Sequence, residues 1–229
     1  METMKSAPSA DSVNLTYQGR KASRINSEQR RRCILEAALR IVVREGIRGI
    51  RHRAVAKEAN VPLSATTYYF KDISDLITDA FTLFVEMGAE KINAFWEESD
   101  AKLKEALELF DGSREARERF VVNITELAVN YVKAQLDEHR DYLIAERSFQ
   151  LECLRNEALR PIAFRHQRFV RDSLEGFFEQ LGSTEPAFDA RLFISSIMQA
   201  EYDAMVQEQP VDMNDVRGML HRHIERVVG

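Results

Sequence analysis

The stretch RHRAVAKEANVPLSATTYYFKD, residues 51–72, decides the fold. Apolar residues at helical spacing predict one helix over residues 52–59 and a second over residues 63–70. Between them, Asn60 tolerates the left-handed backbone conformation, and Pro62 can begin a helix but cannot lie inside one. Two short helices joined by a tight turn are typical of a helix-turn-helix, whose second helix enters the major groove of DNA.

An amphipathic helix is predicted immediately before this stretch. Its expected N-cap is Ser27 and its expected end is Gly46, because glycine is common just past a helix C-terminus. Apolar side chains between these positions repeat at i, i+1, i+4 and i+5, which places them on one face. The three helices predict a helix-turn-helix domain over residues 27–73, preceded by a disordered basic arm over residues 1–26.

The chain after residue 73 has the pattern of helices throughout. Predicted helices cover residues 74–98, 100–110, 113–138, 142–154, 156–181, 184–207 and 214–228. Ser113 and Thr184 are expected to cap two of them. No strand pattern stands out, and the 9 glycines and 5 prolines make up about half the usual share of these residues. We therefore expect an all-α fold, with a larger helical domain over residues 74–229.

Charge is distributed unevenly along the chain. Residues 1–75 contain 14 Lys and Arg against 8 Asp and Glu, a net of +6, whereas residues 76–229 contain 18 against 29, a net of −11. A basic head suits DNA, since cations that neutralise phosphates supply sequence-independent affinity. Such cations cluster just before and at the start of the first helix: Arg20, Lys21, Arg24, Arg30, Arg31 and Arg32. A basic arm of this kind can also enter the minor groove.

The sequence lacks the residue patterns of catalysis or metal binding. His221 and His223 are two residues apart and point in different directions on a helix, so they cannot clamp one metal. No Cys-x-x-Cys, His-Glu-x-x-His or glycine-rich phosphate loop occurs. Cys33 and Cys153 are interpreted as structural thiols in a reducing compartment. We expect no enzyme, no cofactor, no metal and no membrane span or signal peptide, hence a cytoplasmic protein.

Residues 63–70 carry small or hydrogen-bonding side chains suited to close approach to DNA. Their hydroxyl groups bond phosphates, and threonine or alanine methyls pack on thymine methyls. The helix has no Arg, Asn or Gln to read a base with two bonds, so guanine readout is expected from Arg51 or Arg53. Of the two tyrosines, one is expected to pack the core, and Tyr69 is expected to be more exposed than Tyr68.

Several short motifs then recur together within residues 29–81. They are ILEAAL at residues 34–39, the Gly46 stop, Arg53-x-Val55-Ala56, Val61 in the turn and Tyr-Tyr-Phe at residues 68–70. With this spacing the segment resembles the DNA-binding domain of the tetracycline-repressor (TetR) family. The resemblance implies a homodimeric repressor of palindromic DNA whose C-terminal domain, here residues 74–229, dimerises and binds a small-molecule effector. Beyond residue 81 it rests only on length and helix content.

The predicted DNA contacts follow from this motif and the preceding cations. They are Arg30, Arg51, His52, Arg53, Leu63, Ser64, Thr66, Thr67, Tyr68, Tyr69 and Lys71. The chain departs from the family pattern at six residues. Arg51 replaces the usual Ser or Thr cap, Asn60 replaces the turn glycine, and Leu63-Ser64 replaces the usual Gly or Lys. Ile73 replaces a lysine for which Lys71 is a possible substitute, and Tyr69 replaces a histidine.

Aromatic residues of the central helices are the candidates for an effector site, because ligand sites are mostly apolar with a few placed polar groups. They are Phe84, Phe95, Trp96, Tyr131, Phe149 and Tyr202. Each also fits a helix core without any ligand. The dimer interface is expected on the last two long helices, through Ile162, His166, Phe169, Val170, Leu174, Phe177, Phe193, Ser196, Ile197 and Tyr202. These stripes alternatively face only their own core.

The sequence therefore predicts a dimeric DNA-binding transcriptional regulator, a repressor that a small molecule releases. Effector binding is expected to tilt the predicted helix over residues 74–98 and to change the spacing of the two DNA-reading heads. Two alternatives stay open. One is a DNA-binding regulator without a small-molecule ligand, and the other is a helical enzyme or a protein-binding adaptor that has lost DNA binding. Activation also stays open beside repression, because the same DNA contacts serve both.

Overall fold

The computed structural model describes residues 16–20, 25–111, 113–207 and 211–228, without the side chain of Asp100. Within these ranges the chain is helical and contains no strand, which confirms the all-α prediction. The helices are α1 (Ile25–Glu45), α2 (His52–Glu58), α3 (Leu63–Tyr69), α4 (Ile73–Glu108), α5 (Arg114–Glu138), α6 (Arg140–Cys153), α7 (Arg160–Gln180), α8 (Pro186–Val206) and α9 (Met213–Val228). Single 3₁₀ turns follow α1 and precede α7. Most of the predicted arm, including Lys21 and Arg24, lies outside the described residues.

The chain forms two compact units. The first, which we call the N-terminal unit, consists of Ala10–Glu90 and Asp141–Gln167. The second, the C-terminal unit, contains Lys91–Arg140 and Arg168–Gly229. The expected boundary at residue 73 is not a unit boundary, because the first part of α4, up to Glu90, belongs to the N-terminal unit.

The core of the N-terminal unit begins with the apolar face of α1. Ile34, Leu35, Ile41 and Val42 are buried, as the spacing predicted. This face packs against α2, and α2 packs against α3. Phe70, fully buried after α3, closes the core of the three helices.

Two residues with a left-handed backbone end α1 and make the turn of the helix-turn-helix. Gly46 has φ +71°, and it terminates α1 as predicted. Asn60 has φ +52° and stands between α2 and α3, a conformation that asparagine tolerates better than most residues. The Val61 N–H donates to the Ala56 carbonyl across this turn. The chain thus reverses within four residues, which positions α3 against α2.

α4 is a single helix of 36 residues, so the predicted break near residue 99 is wrong. The run Glu97-Glu98-Ser99-Asp100 resembles a polar connection in the sequence. It contains neither glycine nor proline, and glutamate is a good helix former, so nothing interrupts the helix there.

The C-terminal unit is a bundle in which α5, α8 and α9 pack on one another. Its core is aromatic and aliphatic, with Phe178, Leu220 and Ile224 fully buried. Ser113 caps α5 as predicted, since its hydroxyl accepts a hydrogen bond from the Ala116 N–H at 3.1 Å.

Two other predicted caps are wrong. α1 begins at Ile25, two residues before Ser27, whose hydroxyl instead lies 2.8 Å from the Tyr69 hydroxyl. α8 begins after Glu185 rather than after Thr184, with Pro186 in its first turn, where a missing N–H costs little.

Candidate DNA-binding surface and aromatic cluster

One face of α3 is open to solvent. Ser64, Thr67 and Tyr68 are exposed and follow i, i+3 and i+4 spacing, so they share one face of α3. Leu63, at the start of α3, is exposed as well, and so is Lys71, two residues after the helix ends. We call residues 64, 67 and 68, with Lys71 just after the helix, the outward face of α3. All five were predicted DNA contacts, and they remain candidates.

Thr66 and Tyr69 lie on the opposite side of α3 and cannot reach DNA in this structure. The Thr66 side chain is fully buried, and its hydroxyl donates to the Leu63 carbonyl at 2.8 Å. Tyr69 is 5% exposed and shares a hydrogen bond with Ser27, whereas Tyr68 is 53% exposed. The prediction that Tyr69 is the more exposed tyrosine is therefore wrong. Adjacent residues of a helix point about 100° apart, so only one of the two tyrosines can lie on the buried face. The direction in which α3 packs on its neighbours determines which of the two is buried.

Two arginines and a histidine stand at the start of α2. Arg51 and Arg53 are exposed at the first turn of α2, and His52 between them is half-buried. Arg51 has extended backbone and supplies no side-chain cap to α2. Arg30 on α1 is also exposed. Arg51, Arg53 and Arg30 therefore remain candidate contacts.

Arg31 is not part of the phosphate-binding cluster that its position in the sequence predicted. Its side chain is buried and forms ion pairs with Glu28 at 2.6 Å and with the fully buried Asp79 at 3.4 Å. Arg32, its neighbour, is exposed and pairs with Glu36. Arg31 therefore has a structural role inside the N-terminal unit.

Residues 16–20 pack on the N-terminal unit, a feature that sequence reasoning missed. The backbone N–H groups of Gln18 and Gly19 donate to the Asp79 carboxylate at 2.6 and 2.9 Å. The Tyr17 hydroxyl donates to Glu86, and burial together with this carboxylate raises the pKa of Tyr17. The signal in the sequence was an aromatic residue and a glycine in an otherwise polar arm.

A second feature of the N-terminal unit is a stack of aromatic rings from α4, α6 and α7. The centre of the Phe84 ring lies 4.4 Å from that of the Tyr142 ring and 5.3 Å from that of the Phe149 ring. The centres of the Phe81 and Phe149 rings are 4.5 Å apart. His166 meets Phe84 edge-on at 6.3 Å. We call these five residues the Phe84 cluster. Two of them, Phe84 and Phe149, were predicted effector contacts.

Two titratable groups at the Phe84 cluster are strongly desolvated. The Nε2 atom of His166 lies 3.9 Å from a carboxylate oxygen of Glu146. Burial lowers the pKa of His166 to about 4, so its ring is neutral at pH 7, and burial raises the pKa of Glu146. The Nδ1 atom of His166 is buried without a hydrogen-bond partner among the described residues. Such buried, unsatisfied atoms are rare and call for an explanation.

Gly88 brings Tyr142 close to α4. A Cβ atom at this position would collide with the Tyr142 hydroxyl and would lie 3.2 Å from the His166 ring. Only glycine therefore lets α6 and α7 place both side chains against this turn of α4.

The other predicted effector contacts form a separate group in the C-terminal unit. The Phe95 ring lies 5.3 Å from Trp96 and 4.9 Å from Tyr131, and Trp96 lies 5.5 Å from Phe177. Tyr202 belongs to neither group, and its side chain is 47% exposed. The predicted set is thus split between two units and does not form one cluster.

The predicted dimer contacts are mostly turned toward their own subunit. Ile162, Phe169, Phe177 and Phe193 are buried, and Val170, Leu174, Ser196 and Ile197 are half-buried. His166 belongs to the Phe84 cluster, and only Tyr202 is exposed. The apolar face that α8 exposes is not the one that was predicted to form the dimer interface. It carries Phe188, Leu192, Tyr202 and Val206.

The described residues contain neither a cluster of metal ligands nor a membrane-spanning helix. No three His, Cys, Asp or Glu side chains are grouped as a metal ion requires. No described helix combines the length and the apolar character that crossing a membrane demands.

A helix-turn-helix whose second helix has an exposed face is the arrangement that many DNA-binding transcriptional regulators use. Comparison with known proteins agrees. Residues 115–226 match the family model described as the tetracyclin repressor-like C-terminal domain. A segment of 68 residues is 35% identical to the HTH-type transcriptional regulator PksA of Bacillus subtilis. That segment covers 30% of this chain and 33% of PksA, so this chain matches about a third of the length of that relative.

Two solved structures extend the likeness over most of the chain. A TetR-family member from Streptomyces coelicolor is 26% identical with a TM-score of 0.62, over 85% of this chain and 98% of that one. The multidrug binding protein EbrR, complexed with ethidium, is 29% identical with a TM-score of 0.57, also over 85% of this chain and 98% of that one. In its C-terminal segment and over most of its length, this chain is therefore similar to TetR-family transcriptional regulators.

Proposed function

We propose that the protein is a homodimeric repressor that binds a palindromic DNA operator in the cytoplasm and is released by a small molecule. The observation that carries this proposal is the outward face of α3, next to the exposed Arg51 and Arg53 at the start of α2. These side chains lie on short helices that a packed core holds in place, which suits a recognition surface.

On this surface we assign two kinds of DNA contact. The hydroxyls of Ser64, Thr67 and Tyr68 and the amine of Lys71 bind phosphates, which position the protein but do not read sequence. Arg51 and Arg53 read guanine through paired bonds to O6 and N7. The exposed Leu63 offers methyl groups to thymine.

The dimer interface that we propose lies on α8. Its exposed apolar residues 188, 192, 202 and 206 line one face of that helix, together with the exposed Ser195 and Gln199. The intervals of 4, 3, 4, 3 and 4 residues are those of a helix-helix seam. Two such faces related by a two-fold axis cover each other, and a two-fold dimer reads two half-sites about one helical turn apart.

For the effector site we propose the Phe84 cluster. A buried carboxyl group beside stacked rings suits a planar aromatic cation, because ring faces and carboxylate both attract positive charge. A bound cation favours the ionised form of Glu146 and so opposes the effect of burial, which raises the pKa of this group. The complex of EbrR with ethidium supports this class of ligand. α4 carries Phe84 and also Asp79, which forms an ion pair with Arg31 of α1. A ligand that moves α4 therefore moves the helix-turn-helix and changes the spacing of the two DNA-binding domains in the dimer.

One observation favours a regulator without a ligand. Phe84 and Phe149 are almost fully buried, and their rings already stack at core distances. In that alternative the cluster is simply core, and calorimetry with ethidium detects no binding at the cluster. Binding that Glu146→Gln abolishes would contradict the alternative.

The experiment that tests the proposed function is binding of the purified protein to the DNA upstream of its own gene, over a salt series. The wild type is expected to bind saturably as a dimer, and affinity should fall steeply as salt rises. The variant with Arg53→Ala and Tyr68→Ala should lose this binding. A matched variant, Arg155→Ala, removes an exposed cation after α6 and should bind normally. If the wild type does not bind duplex DNA at low salt, the result supports the alternative that the protein is an adaptor.

A further inference from the structure

We propose that residues 16–20 form a clip that adds Arg20 to the DNA-binding surface as a phosphate-binding cation held on the Tyr68 ring. The inference rests on the proposed function, and it adds a contact from outside the helix-turn-helix. It also differs from a free arm that enters the minor groove, because the clip has a fixed place on the N-terminal unit.

The clip is anchored through the buried Asp79 of α4. One carboxylate oxygen accepts from the Gln18 N–H, and the other accepts from the Gly19 N–H and from the Arg31 guanidinium at 3.4 Å. Bonds to two consecutive backbone groups fix the path of the chain, whatever the side chains are. Arg31 also covers the Tyr17 ring, with its guanidinium carbon 4.1 Å from the ring centre. The clip is thereby fastened at two neighbouring points.

Gly19 lets the clip lie directly on this site. A Cβ atom there would stand 2.8 Å from Oδ2 of Asp79 and 2.8 Å from the Phe70 ring. Phe70 and Asp79 are both fully buried, so neither can move aside. Any side chain at residue 19 therefore lifts the clip from Asp79. This gives a substitution that displaces Arg20 without altering it.

The next residue lies against the end of the recognition helix. The Arg20 N–H donates to the Tyr69 carbonyl at 2.9 Å, which satisfies one of the open carbonyls in the last turn of α3. The Arg20 guanidinium carbon lies 4.4 Å from the centre of the Tyr68 ring. Both side chains are exposed. A cation is thus held beside Tyr68 on the outward face of α3.

The chemistry of this pair fits a phosphate of DNA. A guanidinium that stacks through its face keeps its in-plane N–H donors, and two of these bind one phosphate. The neighbouring Tyr68 hydroxyl supplies a further donor. Because stacking already orders the Arg20 side chain, less freedom is lost when the phosphate binds.

The test compares Arg20→Ala with Arg155→Ala on two 30-base-pair duplexes, the promoter fragment and a random sequence, by fluorescence anisotropy. Arg20→Ala should weaken binding to both duplexes by the same factor, roughly tenfold, because a phosphate contact carries no sequence information. It should also reduce the magnitude of the slope of the logarithm of affinity against the logarithm of salt concentration by about two. A dimer loses one phosphate contact in each half-site, and each contact contributes about one to the slope. Arg155→Ala should match the wild type in both respects.

Gly19→Ala provides an independent route to the same loss. It should reproduce the effect of Arg20→Ala, and the double variant should bind no more weakly than either single variant. Thermal unfolding checks that each variant folds, and Arg20→Ala decides the matter alone if Gly19→Ala does not fold.

Three results overturn the inference. One is equal binding by Arg20→Ala and Arg155→Ala while the wild type binds, which leaves the proposed function intact. Another is a loss confined to the promoter duplex, which means that Arg20 reads bases. The third is a wild type that ignores both duplexes, which removes the proposed function as well.

Discussion

Tyr68 and Tyr69 are adjacent in the chain, yet their hydroxyl groups have opposite surroundings. Tyr69 is buried against Ser27 of α1, while Tyr68 is exposed under Arg20. A pair of substitutions that each remove one hydroxyl therefore separates folding from DNA binding.

We predict that Tyr69→Phe lowers the free energy of unfolding by about 1 kcal/mol, the usual contribution of one hydrogen bond. It should leave DNA affinity unchanged. Tyr68→Phe should do the reverse, weakening DNA binding with no measurable change in stability. Urea unfolding and DNA titration of both variants check this. Equal effects of the two substitutions on either property would contradict the assignment.

At the Phe84 cluster, His166 and Glu146 make stability depend on pH in opposite directions. The folded-state pKa of His166, about 4, lies below its unfolded value of 6.5, so its contribution is complete above pH 6.5 and is lost as pH falls toward 4. The full loss is about 3 kcal/mol. The pKa of Glu146 is raised, so the folded state holds that proton more tightly, and its contribution is lost as pH rises.

We therefore predict that His166→Gln weakens the fall of stability on acidification between pH 6.5 and 4. Glu146→Gln should steepen it, because the opposing group is gone. Urea unfolding at four pH values across this window measures both slopes. Parallel slopes in the wild type and the two variants would show that neither group is desolvated as described.

At the scale of the helices, the apolar face of α8 gives the next prediction. Leu192→Glu places a charge within the exposed stripe, which leaves a subunit stable but opposes pairing of two such faces. We expect a monomer by light scattering, with unchanged helix content. Val122→Glu is the matched control, since Val122 is an exposed apolar residue on α5. A dimer that survives Leu192→Glu would exclude this face.

Sequence patterns predicted which segments are helical much better than which face each helix buries. Helical periodicity located α1, α2 and α3. Gly46 correctly predicted the end of α1, Asn60 the turn between α2 and α3, and Ser113 the cap of α5. The buried face depends on the neighbouring helices, which a single sequence does not show. This is why Thr66 and Tyr69 were expected to face DNA, and why the predicted dimer stripe of α7 and α8 lies largely in its own core.

The clip was missed for a related reason. Its contacts join residues about 60 positions apart, from Gln18 and Gly19 to Asp79, and use backbone groups that carry no sequence signal. Asp79 itself resembles any charged residue of a helix surface, although it is fully buried. Long-range polar contacts of this kind become visible only once the helices are packed.

At the scale of the whole molecule, DNA and effector must influence each other equally. If the effector lowers DNA affinity by a given factor, DNA lowers effector affinity by the same factor, since both are linked through one equilibrium. With ethidium as the probe, we predict that its Kd rises when operator DNA is present, by the factor by which ethidium weakens operator binding. Ethidium also binds DNA directly, so equilibrium dialysis against the operator alone must be subtracted. Glu146→Gln should bind DNA normally and lose the response to ethidium, and a response that persists would place the effector elsewhere.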